Sequence, residues 1–448
     1  MAGVTPDLTG EVTELLQHMI RNACVNDGTP ESGEELRNAD LLHTYLEGAG
    51  LEVEQYEPTP GRASLVARIE GSDPAAPTLC LMGHTDVVPV TPDGWTRDPF
   101  GGELVDGEVW GRGAIDMLNL TSSMAVAVHH LARSGFRPRG TVVYFAVADE
   151  EAGGVHGAEW VTAHHYDAVR ADFVLSESGG LVRPSRSGRL VTLTTGEKGI
   201  AWTRLRVRGT PGHGSTPFGT DNALVKAAQV VGRIAAYRPQ ARITDAWRSF
   251  AAALDVSDEE RAALLDPDRV YDACVALPDQ RTAKLAHACT HMTFSPNVVH
   301  GGVKTNVIPD VVDIDVDIRL LPGETPDDVT ANLAAAIGDL ASAVEVTTLQ
   351  AALPTASPFD SRLREVLEIV VRRTYPNASL VPRLTTGGTD LRFFRDKGAV
   401  SYGFGLFSEG VTFEDFAGRF HGNDERVDVE SLRLTTDMWV DVVRELIG

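Results

Sequence analysis

The sequence predicts an α/β protein: a discontinuous domain on a mostly parallel sheet, carrying a smaller inserted ferredoxin-like α+β domain. Three observations carry that expectation. Helical stretches such as "TGEVTELLQHMIRNA" and "EELRNADLLHTYLEGAG" alternate with short, continuously apolar runs such as "PTLCLMGH", "GTVVYFAVADEE" and "ADFVLSES", as parallel strands covered by helices do. From about Gly196 the texture changes to half-buried alternation. After "LPTASP" the helix-and-short-strand texture returns, through "RLREVLEIVVRRTY", "AVSYGFGLF" and "VESLRLTTDMWVDVVRELIG".

These changes divide the chain into residues 1–196, the first part of the α/β domain; 197–350, the insertion; and 351–448, the second part of the α/β domain. Within the insertion, "IAWTRLRVRG" reads as a strand, "DNALVKAAQVVGRIAAY" as a helix and "HMTFSPNVVHGG" as another strand. In "DVVDIDVDIRLLPG", Asp313, Asp315 and Asp317 line one face while Val312, Ile314, Val316 and Ile318 line the other, the two-residue period of a half-exposed strand. Thr325 is placed to cap the helix that follows, and "VEVTTLQ" reads as the closing strand. The order β-α-β-β-α-β is that of a ferredoxin-like sandwich, interrupted by an Ala-rich helical excursion at about 235–288.

Composition narrows the function. A chain of 448 residues with 43% hydrophobic content can bury a sizeable core in more than one domain. Its 63 acidic and 40 basic residues give a net charge of -23, which disfavours nucleic acid or an anionic membrane surface as partner. The opening residues show no basic start followed by an apolar block, and no run is long enough to span a bilayer. A cytoplasmic protein is therefore expected. Cys24, Cys80, Cys274 and Cys289 form no C-x-x-C pair and read as small buried thiols.

In open α/β sheets ligands gather beyond the carboxyl ends of the strands. Three apolar runs end there in groups that bind metal: one in His84 and Asp86, one in Asp149, Glu150 and Glu151, one in Glu177. The Gly-rich "WGRGAIDM" adds Asp116, and "RFHGNDERV" adds His421. Any one of these carboxylates alone would read as solvated or as a helix cap. Together they would repel unless a cation sat among them. A nitrogen and oxygen donor set of this size suits two Zn²⁺ ions per chain, and Co²⁺ or Mn²⁺ suits the same donors. The adjacent pairs His129–His130 and His164–His165 read as structural, since neighbours on a helix point about 100° apart.

The motifs "GHTDVVP", "WGRGAIDM", "DEEAGG", "GTPGHGSTP", "TNVIP", "RLLPG", "GGTD" and "HGNDE" resemble, in order, those of the co-catalytic zinc hydrolases called metallopeptidase family 20. That family includes carboxypeptidases, carnosine-type dipeptidases, aminoacylase, acetylornithine deacetylase and succinyl-diaminopimelate desuccinylase. The resemblance implies that Asp116 bridges two zinc ions, with His84 and Glu177 completing one site and Glu151 and His421 the other. It implies Glu150 as general base, Asp86 as the residue that orients His84, and a cis peptide after Asp116. It further implies that His213 reaches a neighbouring subunit's active site to stabilise the oxyanion, within a homodimer formed through the insertion.

Asn306, Arg319, Gly387 and Gly388 match positions that contact the substrate. Two plainer readings stand beside these: Gly387 and Gly388 as a simple turn, and Arg319 as the ion-pair partner of Asp315 or Asp317. One departure is visible. Leu118, Asn119 and Leu120 stand where the family often shows Lys-Gly-Gly.

The activity so implied is amide hydrolysis of a small carboxylate-bearing molecule, first a peptide, by a dipeptidase or carboxypeptidase. The alternative is an N-acyl amino acid, by a deacylase of the aminoacylase or acetylornithine deacetylase kind. A catalytically silent metal-binding scaffold is the remote third reading, against which Glu150 speaks, because a mere metal binder has no need of a base.

Overall fold

The computed structural model describes residues 7–185 and 188–448. The chain clusters into two compact units: one made of the chain up to Thr195, Ala356–Arg383 and Thr389–Gly448, the other of Gly196–Thr355 and Leu384–Gly388. The short segment Leu384–Gly388, which carries Gly387 and Gly388, thus groups with the inserted unit. A backbone hydrogen bond helps hold it there: Lys198 N donates to the Thr385 carbonyl at 3.1 Å.

The first unit is built on one large sheet. Its centre runs Val142–Val147, Leu79–His84, Phe173–Ser176, Val400–Gly403, all parallel, with His84 opposite Val147 in register. Antiparallel strands flank this centre: Ser64–Ile69 and Val53–Tyr56 on one side, Gly188–Glu197 on the other. Every residue of Leu79–His84 and of Val142–Val147 is buried, which is why the sequence shows unbroken apolar runs there.

Alternate residues of these strands serve two cores. Leu79, Leu81, Val142, Tyr144 and Ala146 pack with the helices Thr9–Arg21, Leu118–Arg133, Arg362–Thr374 and Val429–Ile447. Cys80, Met82, Val143, Phe145 and Val147 face the other way, toward Ala158–His164 and Leu391–Arg395. Gly83 allows a close approach: a Cβ there would meet Thr121 Oγ1 at 2.4 Å, and that hydroxyl donates to the His84 carbonyl at 2.7 Å. Leu118, Asn119 and Leu120 open the helix Leu118–Arg133 and are all buried. The apolar departure at Leu118 and Leu120 therefore belongs to the core. The peptide between Asp116 and Met117 is cis.

The inserted unit holds a four-stranded antiparallel sheet in the order Thr293–Gly301, Val311–Leu320, Gly199–Arg208, Val344–Ala352. With the helices Ala223–Ala236 and Pro326–Ile337 this is the β-α-β-β-α-β sandwich. Val312, Ile314, Val316 and Ile318 are buried in its core, while Asp313 and Asp315 pair with Arg206 and Arg204 of the neighbouring strand at 2.8 and 2.7 Å. Thr325 caps Pro326–Ile337 reciprocally with Asp328. The excursion is a run of four helices, Asp245–Ala253, Asp258–Leu264, Val270–Ala276 and Gln280–Thr290. No helix among the described residues is long and apolar enough to cross a membrane, and the four cysteines are buried free thiols.

Candidate metal centre

Five side chains from five separate elements converge beyond the carboxyl ends of the parallel strands. His84 ends its strand, Glu151 lies in the turn Glu150–Ala152 after Val142–Val147, and Glu177 follows Phe173–Ser176. Asp116 precedes the helix Leu118–Arg133, and His421 precedes the strand Arg426–Asp428. They form two groups sharing Asp116: His84, Asp116 and Glu177, and Asp116, Glu151 and His421, each with ligand atoms within 4.8 Å of one another. The shared carboxylate divides its oxygens: Oδ1 lies 3.2 Å from His84 Nε2, and Oδ2 lies 2.8 Å from His421 Nε2. His421 Nε2 is also 3.3 Å from Glu151 Oε2. Neither His129–His130 nor His164–His165 joins such a group among the described residues. His129 stacks on Tyr45 and His164 on Trp160.

The hydrogen bonds of the first histidine bear on whether cations fit. His84 Nδ1 lies 3.0 Å from the Asp86 carbonyl, an oxygen that only accepts, so this nitrogen carries a hydrogen. Nε2 then turns a lone pair toward the Asp116 carboxylate, and only a second proton or a cation between them removes that repulsion. Burial opposes charge on His84, but Asp116 outweighs it and raises the pKa well above the usual range. Carboxylates in the same space show the complementary strain. Burial, then Glu177, pushes Glu150 well up; burial, then Asp116, pushes Glu177 well up and Glu151 up to about 7. Glu151 Oε1 is buried without a hydrogen-bond partner. Such a donor set, rich in anionic oxygens and poor in protein cations, fits divalent metal ions.

Asp86 behaves differently from the expected carboxylate–imidazole contact. Its Oδ1 stands 3.5 Å from His84 Nδ1, farther than its own carbonyl. The carboxylate is engaged elsewhere, accepting from the backbone N–H groups of Glu150 at 3.3 Å and Glu151 at 3.1 Å and from Asn26 Nδ2 at 2.9 Å. It therefore holds the turn that presents Glu150 and Glu151. A buried network that the sequence reading missed extends this support. Asn26 Nδ2 also donates to Asp149 Oδ1, Arg62 forks onto Glu35 at 2.7 and 2.8 Å, and its Nη2 reaches Asp149 at 2.6 Å. Only Asp149, in the run "DEE", gave a signal. Asp390 was missed too: it is buried with both carboxylate oxygens unpartnered, and burial pushes it up to about 7.

In the inserted unit, the loops of two expected residues meet. Gly212–His213 pairs with Val307–Ile308, and Gly214 N donates to the Asn306 carbonyl at 2.8 Å. His213 and Asn306 are both exposed, and Ser215 Oγ lies 2.8 Å from His213 Nδ1. Arg319 is bound within its own strand, its Nε donating to Asp317 Oδ1 at 2.7 Å. Gly387 is exposed and Gly388 is partly so.

Comparison with known proteins gives the family and the fold. The model of the family described as Peptidase family M20/M25/M40 matches residues 80–445. An N-fatty-acyl-amino acid synthase/hydrolase of Xenopus tropicalis is 26% identical over 86% of this chain and 75% of its own length. A succinyl-diaminopimelate desuccinylase of Maricaulis maris is 26% identical over 98% of both chains. The crystal structure of an M20 family metallo-carboxypeptidase from Sulfolobus solfataricus superimposes with a TM-score of 0.71 over 99% of both chains at 18% identity, a likeness of fold. The family match spans most of the chain: the protein belongs to peptidase family M20/M25/M40 and is a hydrolytic enzyme.

Proposed function

We propose that the protein is a dinuclear metal-dependent amide hydrolase acting on small molecules with a free carboxylate. The observation that carries this reading is Asp116 shared between two donor groups, one oxygen toward each histidine. In this reading His84 and Glu177 hold one ion, Glu151 and His421 the other, with Zn²⁺ the expected metal and Co²⁺ or Mn²⁺ able to use the same donors. Such ions supply Lewis acidity, which acidifies water and polarises a carbonyl. Glu150, next to a ligand yet not one, takes the proton of the attacking water and passes it to the leaving nitrogen. Asp86 keeps the Glu150–Glu151 turn in place through its two backbone N–H groups.

N-acyl amino acids are the substrates this reading puts first, because the relatives aligned over most of their own length include two named for acyl-amino-acid chemistry, beside one named as a probable carboxypeptidase. Dipeptides come second, on the peptidase description of the family. Asn306, Arg319, Gly387 and Gly388 are proposed to meet the substrate, Arg319 by exchanging Asp317 for its carboxylate. His213 is proposed to complete the site of a second copy in a homodimer formed through the inserted unit, and the exposure of His213 supports this. A cytoplasmic setting is proposed on the four free thiols, which suit a reducing compartment.

The test is turnover by zinc-loaded protein against a panel of N-acyl amino acids, dipeptides and their carboxamides. Hydrolysis of the acids but not of the carboxamides is expected. No hydrolysis of any amide by protein carrying its metals would refute the reading.

A further inference from the structure

The loops bearing Asp116 and His421 leave neighbouring strands of a small antiparallel sheet formed by Glu103–Val105, Glu108–Trp110 and Arg426–Asp428. Arg426 stands opposite Trp110 and Asp428 opposite Glu108, so the chain after Trp110 and the chain before Arg426 begin side by side. Gly111 N donates to the Glu425 carbonyl at 2.9 Å, which extends the ladder by one step. The side chain of Glu425 then reaches across. Its Oε1 accepts from the backbone N–H groups of Ile115 at 2.7 Å and Asp116 at 3.1 Å, and its Oε2 accepts from Arg112 Nη1 at 2.6 Å. Arg112 Nη2 in turn donates to the His421 carbonyl at 3.3 Å. The Arg112 and Glu425 side chains are 3% and 0% exposed.

Desolvating such a pair is costly, and the mutual attraction offsets that cost only in good geometry. Here each oxygen of Glu425 is already taken, so it offers no atom to a metal ion. What the pair does is fix two backbones: the root of Asp116 through its N–H, and the root of His421 through its carbonyl. The two donor groups differ in how much they need such help. His84 is 1% exposed, ends a central strand and is tied to the helix behind it by Thr121. His421 is 45% exposed, on a loop with φ of 55°, and no strand of the large sheet carries it.

We propose that the Arg112–Glu425 pair is a positioning latch that sets the separation of Asp116 and His421 and so governs metal affinity at the position formed by Asp116, Glu151 and His421. The inference rests on the dinuclear reading given above.

Cobalt(II) titration of metal-free protein, followed by visible absorption and by metal analysis, tests it. The wild type is expected to take up two equivalents, and His421→Ala identifies which of them belongs to the latched position. Glu425→Gln keeps the volume and an acceptor for the amides but removes the charge facing Arg112. Arg112→Lys keeps the charge but loses the donor to the His421 carbonyl. In each variant the latched equivalent should bind about 10- to 100-fold more weakly with the other unchanged, and the double variant should lose no more than the worse single one. Should Glu425→Gln not fold, Arg112→Lys carries the same comparison. Wild-type affinity for both equivalents in the folded variants would overturn the latch and leave the dinuclear reading standing. Equal weakening of both equivalents would overturn the assignment to one position. A wild type that binds fewer than two equivalents would overturn the dinuclear reading and the latch with it.

Discussion

Asp116 Oδ2 and His421 Nε2 stand 2.8 Å apart, so the early and late stretches of the first unit close on a single carboxylate. Without metal this contact is an ion pair. Burial opposes charge on His421, but Asp116 and Glu151 outweigh it and push its pKa up to about 10. In the dinuclear reading the same atoms would serve as ligands, and the crowded carboxylates around them would gain a partner.

Metal removal should therefore cost stability as well as activity. An ion present at a thousand times its dissociation constant stabilises the folded chain by about 4 kcal/mol, so chelation should lower the melting temperature by several degrees. The check is a thermal melt with and without chelator. A melt unmoved in protein shown by metal analysis to be stripped would count against closure of the unit by His421.

Glu150 and Glu151 are neighbours in one turn, and they should fail in different ways. Glu150→Gln should keep two metals per chain and lose nearly all turnover, since the base goes and the ligands stay. Glu151→Gln should lose one metal. Metal content beside kcat for both variants decides the matter, and loss of a metal from Glu150→Gln with activity preserved would reverse the two roles.

Lys198 in the inserted unit gives a pH prediction free of the metal centre. Its ammonium is buried and donates to the carbonyls of Ala288 at 2.9 Å and His291 at 2.8 Å, tying the end of the helix Gln280–Thr290 to the start of the sheet. Burial lowers its pKa to about 8, below the value of an unfolded lysine. The unfolded chain then holds the extra proton between pH 8 and about 10.5, so this group's contribution grows with pH through that window and is absent below it. Its size is of the order of 3 kcal/mol. Lys198→Met should flatten that rise while lowering stability throughout, because two carbonyls lose their donor. Denaturant unfolding of both proteins from pH 7 to 10 measures the difference, and parallel curves would refute it.

What the sequence made legible follows from how the information is distributed. The apolar runs at Leu79–His84 and Val142–Val147 and the alternation through Val312–Ile318 announce their strands because burial acts on consecutive residues. The donor set was readable for the same reason: His84 ends such a run, and Glu151 and Glu177 come within a few residues of the end of one. Glu35, Arg62 and Asn26 could not be read, because a buried charge network is assembled from residues that no local period relates. Arg112 and Glu425 sit inside the motifs "WGRGAIDM" and "HGNDE", yet only the pairing of Trp110 with Arg426 shows that they meet. Asp86 does face His84 Nδ1, with its carbonyl at 3.0 Å and its carboxylate at 3.5 Å, and spacing alone does not tell which of the two lies nearer.

The shared active site is the prediction that reaches furthest beyond one chain. His213 lies in an exposed loop of the inserted unit, held by Ser215 and by the Gly214 bond to Asn306. A histidine serving the fold would be expected within an apolar pattern, whereas Thr210, Pro211, Gly212, Gly214 and Ser215 shape a polar loop. If it donates to the oxyanion in a partner's site, His213→Ala should lower kcat by about 10²–10³ and leave metal content unchanged. His213→Ala and Glu150→Ala homodimers should each be nearly inactive, but a mixture allowed to exchange subunits should recover. In a mixed dimer one site has its own Glu150 together with the partner's His213 and the other site has neither. Random exchange makes about half the dimers mixed and about a quarter of all sites complete. Recovery close to a quarter of wild-type turnover is therefore expected. Absence of recovery, with native mass spectrometry confirming that mixed dimers are present, would show that His213 acts within its own chain or takes no part in the reaction.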